Sequence, residues 1–304
     1  MEKTFDDIVD RVSNVIYGKK KKIRLALTCL FAGGHLLIED RPGIGKTTMA
    51  KALSRCLGLD FSRVQFTSDL LPADVLGSAV FVQHSSRFVF HKGPIFTQVL
   101  LADEINRATP RTQSALLEAM EERQVTIEGR TRPLPSPFFV IATLNPIEQS
   151  GTFALPESQL DRFLLRISMG YPGRQAENTL LRSGDSQHLL AEVKPVLSVE
   201  EVMAIREKIV SVHMSDALLD YIQDILDFSR TSAHFHTGLS PRAGLALLRT
   251  ARAWAYLNGR RHGLPEDVQM ILPYVTGHRL RAADSYREYG FDKLAALFRE
   301  VPVP

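Results

Sequence analysis

Up to about residue 172, short apolar runs alternate with longer amphipathic stretches. The runs are HLLIE (35–39), FSRVQF (61–66), VLLA (99–102), FFVIA (138–142) and FLLRIS (163–168), with 20 residues or more between successive ones. Continuous apolar runs of this length predict strands buried on both faces, and the spacing leaves room for helical crossovers. The predicted fold is therefore α/β, a mostly parallel sheet flanked by helices. Two stretches break the rhythm. SAVFVQHSSRFVFHKG (78–93) alternates about a His-Ser-Ser turn and QVTIEGRTRPLP (124–135) about Glu128-Gly129, so both are predicted to be β-hairpins inserted into crossovers. Beyond GYPGR (170–174) only helical patterns remain. The division expected is 1–172 for the α/β core and 173–304 for a small all-α domain. Within the latter, Ser198 with Glu201 forms a capping box. Ser240-Pro241 opens a helix that carries Leu247, Leu248, Ala251, Trp254 and Ala255 on one face, which marks Trp254 as a core residue.

A chain of 304 residues, 44% of them hydrophobic, can bury a sizeable core. No apolar stretch reaches the roughly 18 residues of a membrane span, and the charged N-terminus does not read as a secretory signal. A cytoplasmic location is expected. Cys29 and Cys56 fit reduced thiols on apolar helix faces. The 37 basic and 34 acidic residues balance too evenly to announce a nucleic-acid binder. The basic block Lys19 to Lys22 and the arginines 249, 252, 260 and 261 read as solvated faces. His234 and His236 share an H-x-H spacing but lack a neighbouring Cys or acid, so a loop is expected there rather than a metal site.

The chemistry begins at LLIEDRPGIGKTTMAK (36–51), where a strand runs into a glycine-bearing bend and then a helix. Gly43 and Gly45 let backbone N–H groups approach phosphate oxygens, flanked by Pro42 and Ile44. Lys46 neutralises terminal phosphates, and Thr47, followed by Thr48, offers a hydroxyl to Mg²⁺. The phosphate-loop pattern G-x-x-x-x-G-K-[ST] is matched except that Asp40 replaces the first glycine. Aspartate tolerates left-handed backbone angles. The expectation is that Asp40 turns away from the phosphates, so that Asp40→Gly raises affinity by less than about tenfold.

About 55 residues later, VLLADEINR delivers Asp103 and Glu104 to the C-terminal end of an apolar strand, the edge where open α/β sheets bind ligands. Asp103 suits a magnesium ligand and Glu104 a general base for an attacking water. A third strand ends in Asn145, an amide suited to orienting that water or sensing the γ-phosphate. Arg162 precedes the strand FLLRIS, and either pairs within its own chain or reaches a neighbour's transition state. Arg242 sits in the first turn of a helix, where a cation opposes the helix dipole, so phosphate contact explains it better than a structural role.

GHLLIEDRPGIGKT, VQFTSDLLPADVLG, GPIFTQVLLADEINRATPRTQSALLEAMEERQVTIEG, PFFVIATLNPIEQSGTFALPESQLDRF and LSPRAGLALL together closely resemble the MoxR-type AAA+ ATPases, over about Phe5 to Leu280. The resemblance implies ATP and Mg²⁺ as cofactors. It assigns Lys46 and Thr47 to the Walker A motif, Asp103 and Glu104 to Walker B, Asn145 to sensor 1, Arg162 to an arginine finger acting on a neighbouring subunit, and Arg242 to sensor 2. Tyr17-Gly18 falls where such proteins contact adenine, mainly through backbone. Further implications are a homo-oligomeric ring, typically a hexamer, and hairpins that line or approach its pore. The role implied is a chaperone-like remodeller or maturation factor for protein clients, often working with a partner carrying a von Willebrand factor A domain. Two other readings are a nucleic-acid-stimulated motor and a nucleotide-dependent scaffold that does not hydrolyse.

Overall fold

The computed structural model describes residues 2–146, 151–183 and 187–304; positions 147–150 of the motif after Asn145 lie outside the described residues. In chain order the core contains α1 (Glu2–Ser13), α2 (Lys20–Phe31), β1 (Leu36–Glu39), α3 (Lys46–Cys56), β2 (Phe61–Gln65) and α4 (Pro72–Leu76). It continues with β3 (Gly77–Val82), β4 (Arg87–Lys92), β5 (Val99–Asp103), α5 (Pro110–Glu122), β6 (Gln124–Ile127), β7 (Arg130–Pro133), β8 (Phe139–Leu144), α6 (Glu157–Leu160) and β9 (Leu165–Ile167). The rest is helical: α7 (Arg174–Ser183), α8 (Gln187–Glu192), α9 (Val199–Val210), α10 (Asp216–Thr231), α11 (Pro241–Leu257), α12 (Pro265–Thr276) and α13 (Phe291–Leu297).

All five apolar runs form one parallel sheet in the order β2-β5-β8-β1-β9. Alternation along each strand divides the burial between two faces. Leu36, Ile38, Leu101 and Ile141 join the cluster that continues through α1, α2, α3 and the C-terminal helices, whereas Leu37, Leu100, Val140 and Ala142 face α5. Each fully buried Leu or Ile contributes about 1.5–3 kcal/mol, which explains the apolar character of β1, β5 and β8; the edge strand β2, expected to be buried on both faces, instead exposes Arg63 and Gln65. The register aligns their C-terminal ends: Gln65 stands beside Asp103, and Glu39 beside Leu144. Phosphate loop, acidic pair and Asn145 therefore emerge along one edge.

Both predicted hairpins form outside this sheet, β3 with β4 and β6 with β7. The second closes through Glu128 (φ 51°) and Gly129 (φ 70°), a two-residue turn with both φ angles positive. Arg132 of β7 lies 3.9 Å from the ring centre of Phe90 on β4, which joins the two hairpins.

The C-terminal helices dock beside β9. Arg279, just past α12, donates to Asp161 (2.6 Å) and to the Phe163 carbonyl (2.8 Å), and the His278 ring meets the same carbonyl (2.9 Å). Arg166 on β9, 5% exposed, pairs with Glu39 and Glu288. Ser198 and Glu201 cap α9 reciprocally, Ser240 caps α11, and Trp254 packs against the core. Cys29 and Cys56 are buried free thiols, and burial pushes the Cys56 thiol up to about 11. No helix among the described residues is long and apolar enough to cross a membrane.

Candidate active site

Beyond β1 the chain bends through Gly43 (φ 79°) and Gly45 (φ 89°), left-handed angles that side chains resist. Helix α3 then starts at Lys46 with Gly45 as its N-cap, and no side chain caps it. A Cβ built on Gly43 would meet nothing within 4 Å, so the loop surrounds open space rather than packed side chains. Uncapped N–H groups and the positive end of the helix dipole around open space suit an anion. Lys46, 8% exposed, donates to the Asp40 carbonyl at 2.6 Å. Burial lowers its pKa, opposed by Asp103, Asp40 and Glu104.

A cleft of about 500 Å³ opens over this loop. Its phosphate end holds Pro42, Gly43, Ile44, Gly45, Lys46, Thr47 and Thr48 with Asp103 and Glu104; its other end holds Val15, Ile16, Tyr17, Pro172, Ala176 and Leu180. A polar end beside an apolar slot matches the two halves of a nucleotide. Tyr17 lines that slot, while Gly18 (φ 73°) lies behind it, where a Cβ would come within 2.9 Å of Ala176.

Asp103 ends β5 and Glu104 comes next in a left-handed conformation (φ 56°), which costs a non-glycine residue about 1–2 kcal/mol. Thr143 holds the pair: its hydroxyl donates to Asp103 (2.7 Å) and accepts from the Glu104 N–H (2.8 Å). Arg63 of β2 donates to the other Asp103 oxygen (2.7 Å), and Gln65 donates to Glu104 (2.9 Å). Thr143, Arg63 and Gln65 were missed in the sequence; the one available signal was a threonine inside the apolar run VIATL. Asn145, 4% exposed, lies just past β8 and is not in the cleft wall. The donor set also fits Mg²⁺: a threonine hydroxyl and a carboxylate are hard oxygen ligands. The Asp103 oxygen that accepts from Thr143 retains a lone pair for a cation, whereas the other already accepts two N–H groups of Arg63.

Arg162 and Arg242 lie elsewhere. They line a second cleft of about 170 Å³ with Arg123, Arg249, Arg279, Glu121 and Asp161. Both pair with the one carboxylate of Glu121 on α5. Arg162 also donates to the Leu117 carbonyl at 2.9 Å, and its buried Nε has no hydrogen-bond partner among the described residues. Lys19, expected on a solvated face, is instead 7% exposed and donates at 2.8 Å to each of the carbonyls of Met169, Gly170 and Tyr171.

A family model described as "ATPase family associated with various cellular activities (AAA)" matches residues 35–165, and an AAA lid domain model matches 227–295. The Chaperone MoxR1 of Mycobacterium tuberculosis is 38% identical over 287 residues, covering 91% of this chain and 75% of its own. The chain is a MoxR-type AAA+ ATPase. The Protein MoxR of Paracoccus denitrificans is 33% identical, with 99% of this chain and 96% of that protein covered. An uncharacterized Bacillus subtilis protein, YeaC, is 41% identical over 96% of this chain and 91% of its own. A crystal structure from Cytophaga hutchinsonii superposes with a TM-score of 0.90 at 35% identity, covering 100% of this chain and 96% of that one. For a MoxR-type AAA+ ATPase, the parallel sheet with its glycine-bearing loop is the expected nucleotide-binding frame.

Proposed function

We propose that the chain hydrolyses ATP with Mg²⁺ in sites shared between subunits of a homo-oligomeric ring, a hexamer in its closed form. In this reading residues 1–172 form the ATPase core and 173–304 the lid. The observation that carries the reading is the position of Arg162 and Arg242, joined on Glu121 outside the cleft that holds Lys46, Thr47, Asp103 and Glu104. Two partly exposed arginines meeting one carboxylate carry more positive charge than it offsets, which suits a further oxyanion. A neighbour's γ-phosphate supplies one.

Within the cleft, Gly43, Gly45 and the first turn of α3 hold phosphate oxygens through backbone N–H groups, and Lys46 turns from the Asp40 carbonyl toward the terminal phosphates. Thr47 and Asp103 would hold Mg²⁺, which when bound neutralises phosphate charge. Glu104, steadied by Gln65 and by its N–H bond to Thr143, accepts the proton of the attacking water. Asn145, at the end of the neighbouring strand but outside the cleft wall, would have to turn toward the cleft to orient that water. The Arg63–Asp103 pair joins a partly exposed guanidinium to a buried carboxylate, and a bound cation would compete with Arg63 for it.

Remodelling of a protein client is the work proposed for this hydrolysis, with a von Willebrand factor A domain protein as the partner. The β3–β4 hairpin supports it by presenting Val80, Phe81 and Phe88 at 47%, 51% and 67% exposure, apolar groups suited to polypeptide rather than phosphate backbone. The test is Mg²⁺-dependent phosphate release measured against protein concentration. Specific activity is expected to rise steeply with concentration until rings saturate; a constant specific activity would rule out shared sites.

Thr143→Val, nearly isosteric and fully buried, leaves the Glu104 N–H without its acceptor. It is expected to destabilise the fold by about 1–3 kcal/mol and to lower turnover by about tenfold with nucleotide affinity nearly unchanged. Thermal melts and steady-state kinetics check both; unchanged turnover would remove Thr143 from the machinery.

A further inference from the structure

Asp40 replaces the glycine that opens the phosphate-loop pattern, yet its φ is not among the positive values found in the described residues, so the position requires no glycine. Its N–H donates to the Leu144 carbonyl at 3.1 Å, and its own carbonyl accepts from Lys46. Its carboxylate is turned away from the phosphate end of the cleft, and toward the segment after β9 rather than into solvent. One oxygen accepts from the Gly170 N–H (2.6 Å) and the Ser168 hydroxyl (2.8 Å); the other accepts from the Arg41 N–H (2.8 Å). Burial opposes ionisation here, but these donors outweigh it and hold the carboxyl below its ordinary range.

Lys19 grips the same segment through the carbonyls of Met169, Gly170 and Tyr171, each at 2.8 Å. The segment is thus held by an anion on its N–H and hydroxyl groups and by a cation on its carbonyls. Arg41 adds a hydrogen bond to the Tyr171 hydroxyl at 3.1 Å. The segment leads directly into Pro172 and α7, whose Ala176 and Leu180 wall the apolar end of the cleft.

We infer that Asp40 is a positioning residue for the nucleoside end of the cleft: with Lys19 it ties the phosphate loop to the segment that carries the base-facing wall. This rests on the reading of the cleft as a nucleotide site. It also reverses the sign expected from the residue pattern, because the carboxylate does not oppose the phosphates and its removal frees a wall. Asp40→Gly should therefore weaken nucleotides while sparing a ligand that touches only the loop.

The experiment compares ADP, ATP and inorganic tripolyphosphate, each with Mg²⁺, by calorimetry on wild type, Asp40→Gly, Asp40→Asn and Lys19→Met. Asp40→Gly and Lys19→Met are expected to weaken ADP and ATP by about tenfold and to change tripolyphosphate by less than about twofold. Asp40→Asn keeps an acceptor for the Gly170 N–H but not the charge, and should fall between; it carries the test if the glycine variant does not fold. Tighter ATP binding by Asp40→Gly, or equal losses for ATP and tripolyphosphate, would overturn the inference while leaving the nucleotide site standing. Wild-type protein that binds none of the three would overturn both.

Discussion

Glutamine at position 104 is expected to slow phosphate release by at least about a hundredfold while nucleotide stays bound. Glu104 stands one residue beyond β5 in a left-handed conformation, and its N–H is held by Thr143. Its carboxylate accepts from Gln65 at 2.9 Å and from Arg107 at 3.2 Å. Both bonds fall on the same carboxylate oxygen and fix the group's orientation. Glutamine preserves shape and nearly the same volume but has no site for a water's proton, so binding and chemistry should separate. Phosphate release and retained nucleotide, measured on the same preparation, decide the outcome. Equal rates for Glu104→Gln and wild type would favour a nucleotide-dependent scaffold over an ATPase.

Arg162→Ala should lose on the order of 10³ in turnover, the range of arginine fingers supplied by a neighbour. The residue is far enough from its own phosphate loop to line a different cleft, so the variant's nucleotide affinity should remain that of wild type. Mixing gives the sharper result. In a ring every interface joins one subunit's cleft to the next one's arginine face. When Arg162→Ala and Glu104→Gln, each inactive alone, are combined in equal amounts, roughly a quarter of interfaces hold an intact Glu104 opposite an intact Arg162. Activity should return. Failure of any mixture to recover, in rings shown to exchange subunits, would mean that Arg162 serves only its own chain. Its pairing with Glu121 would then be structural.

Much of the frame was legible because the relevant physics is local. Four of the five strands were readable from apolar runs buried on both faces, while the edge strand β2, expected to be buried likewise, exposes Arg63 and Gln65; the 124–135 hairpin was readable from alternation about Glu128-Gly129. The same holds for the caps Ser198 and Ser240, whose hydroxyls serve N–H groups three residues on. Lys19 was misread because a run of four basic residues carries no mark of which one meets a carbonyl nest; three carbonyls 150 to 152 residues away select it.

Residue order alone dictated the strand-loop-helix that suits phosphate, the acidic pair at a strand end and the helical C-terminal part, since each is written in neighbouring residues. How these parts meet was settled by folding. Thr143 reaches Asp103 because β8 pairs with β5. Arg242 reaches Glu121, 121 positions earlier, because the last helices dock beside β9, where Arg279 and Arg166 anchor them. Asp40 was visible from the start as a departure from the pattern. Its surroundings became readable only when the sheet placed β9 next to β1, bringing Ser168 and Gly170, 128 and 130 residues downstream, within hydrogen-bonding distance of its carboxylate.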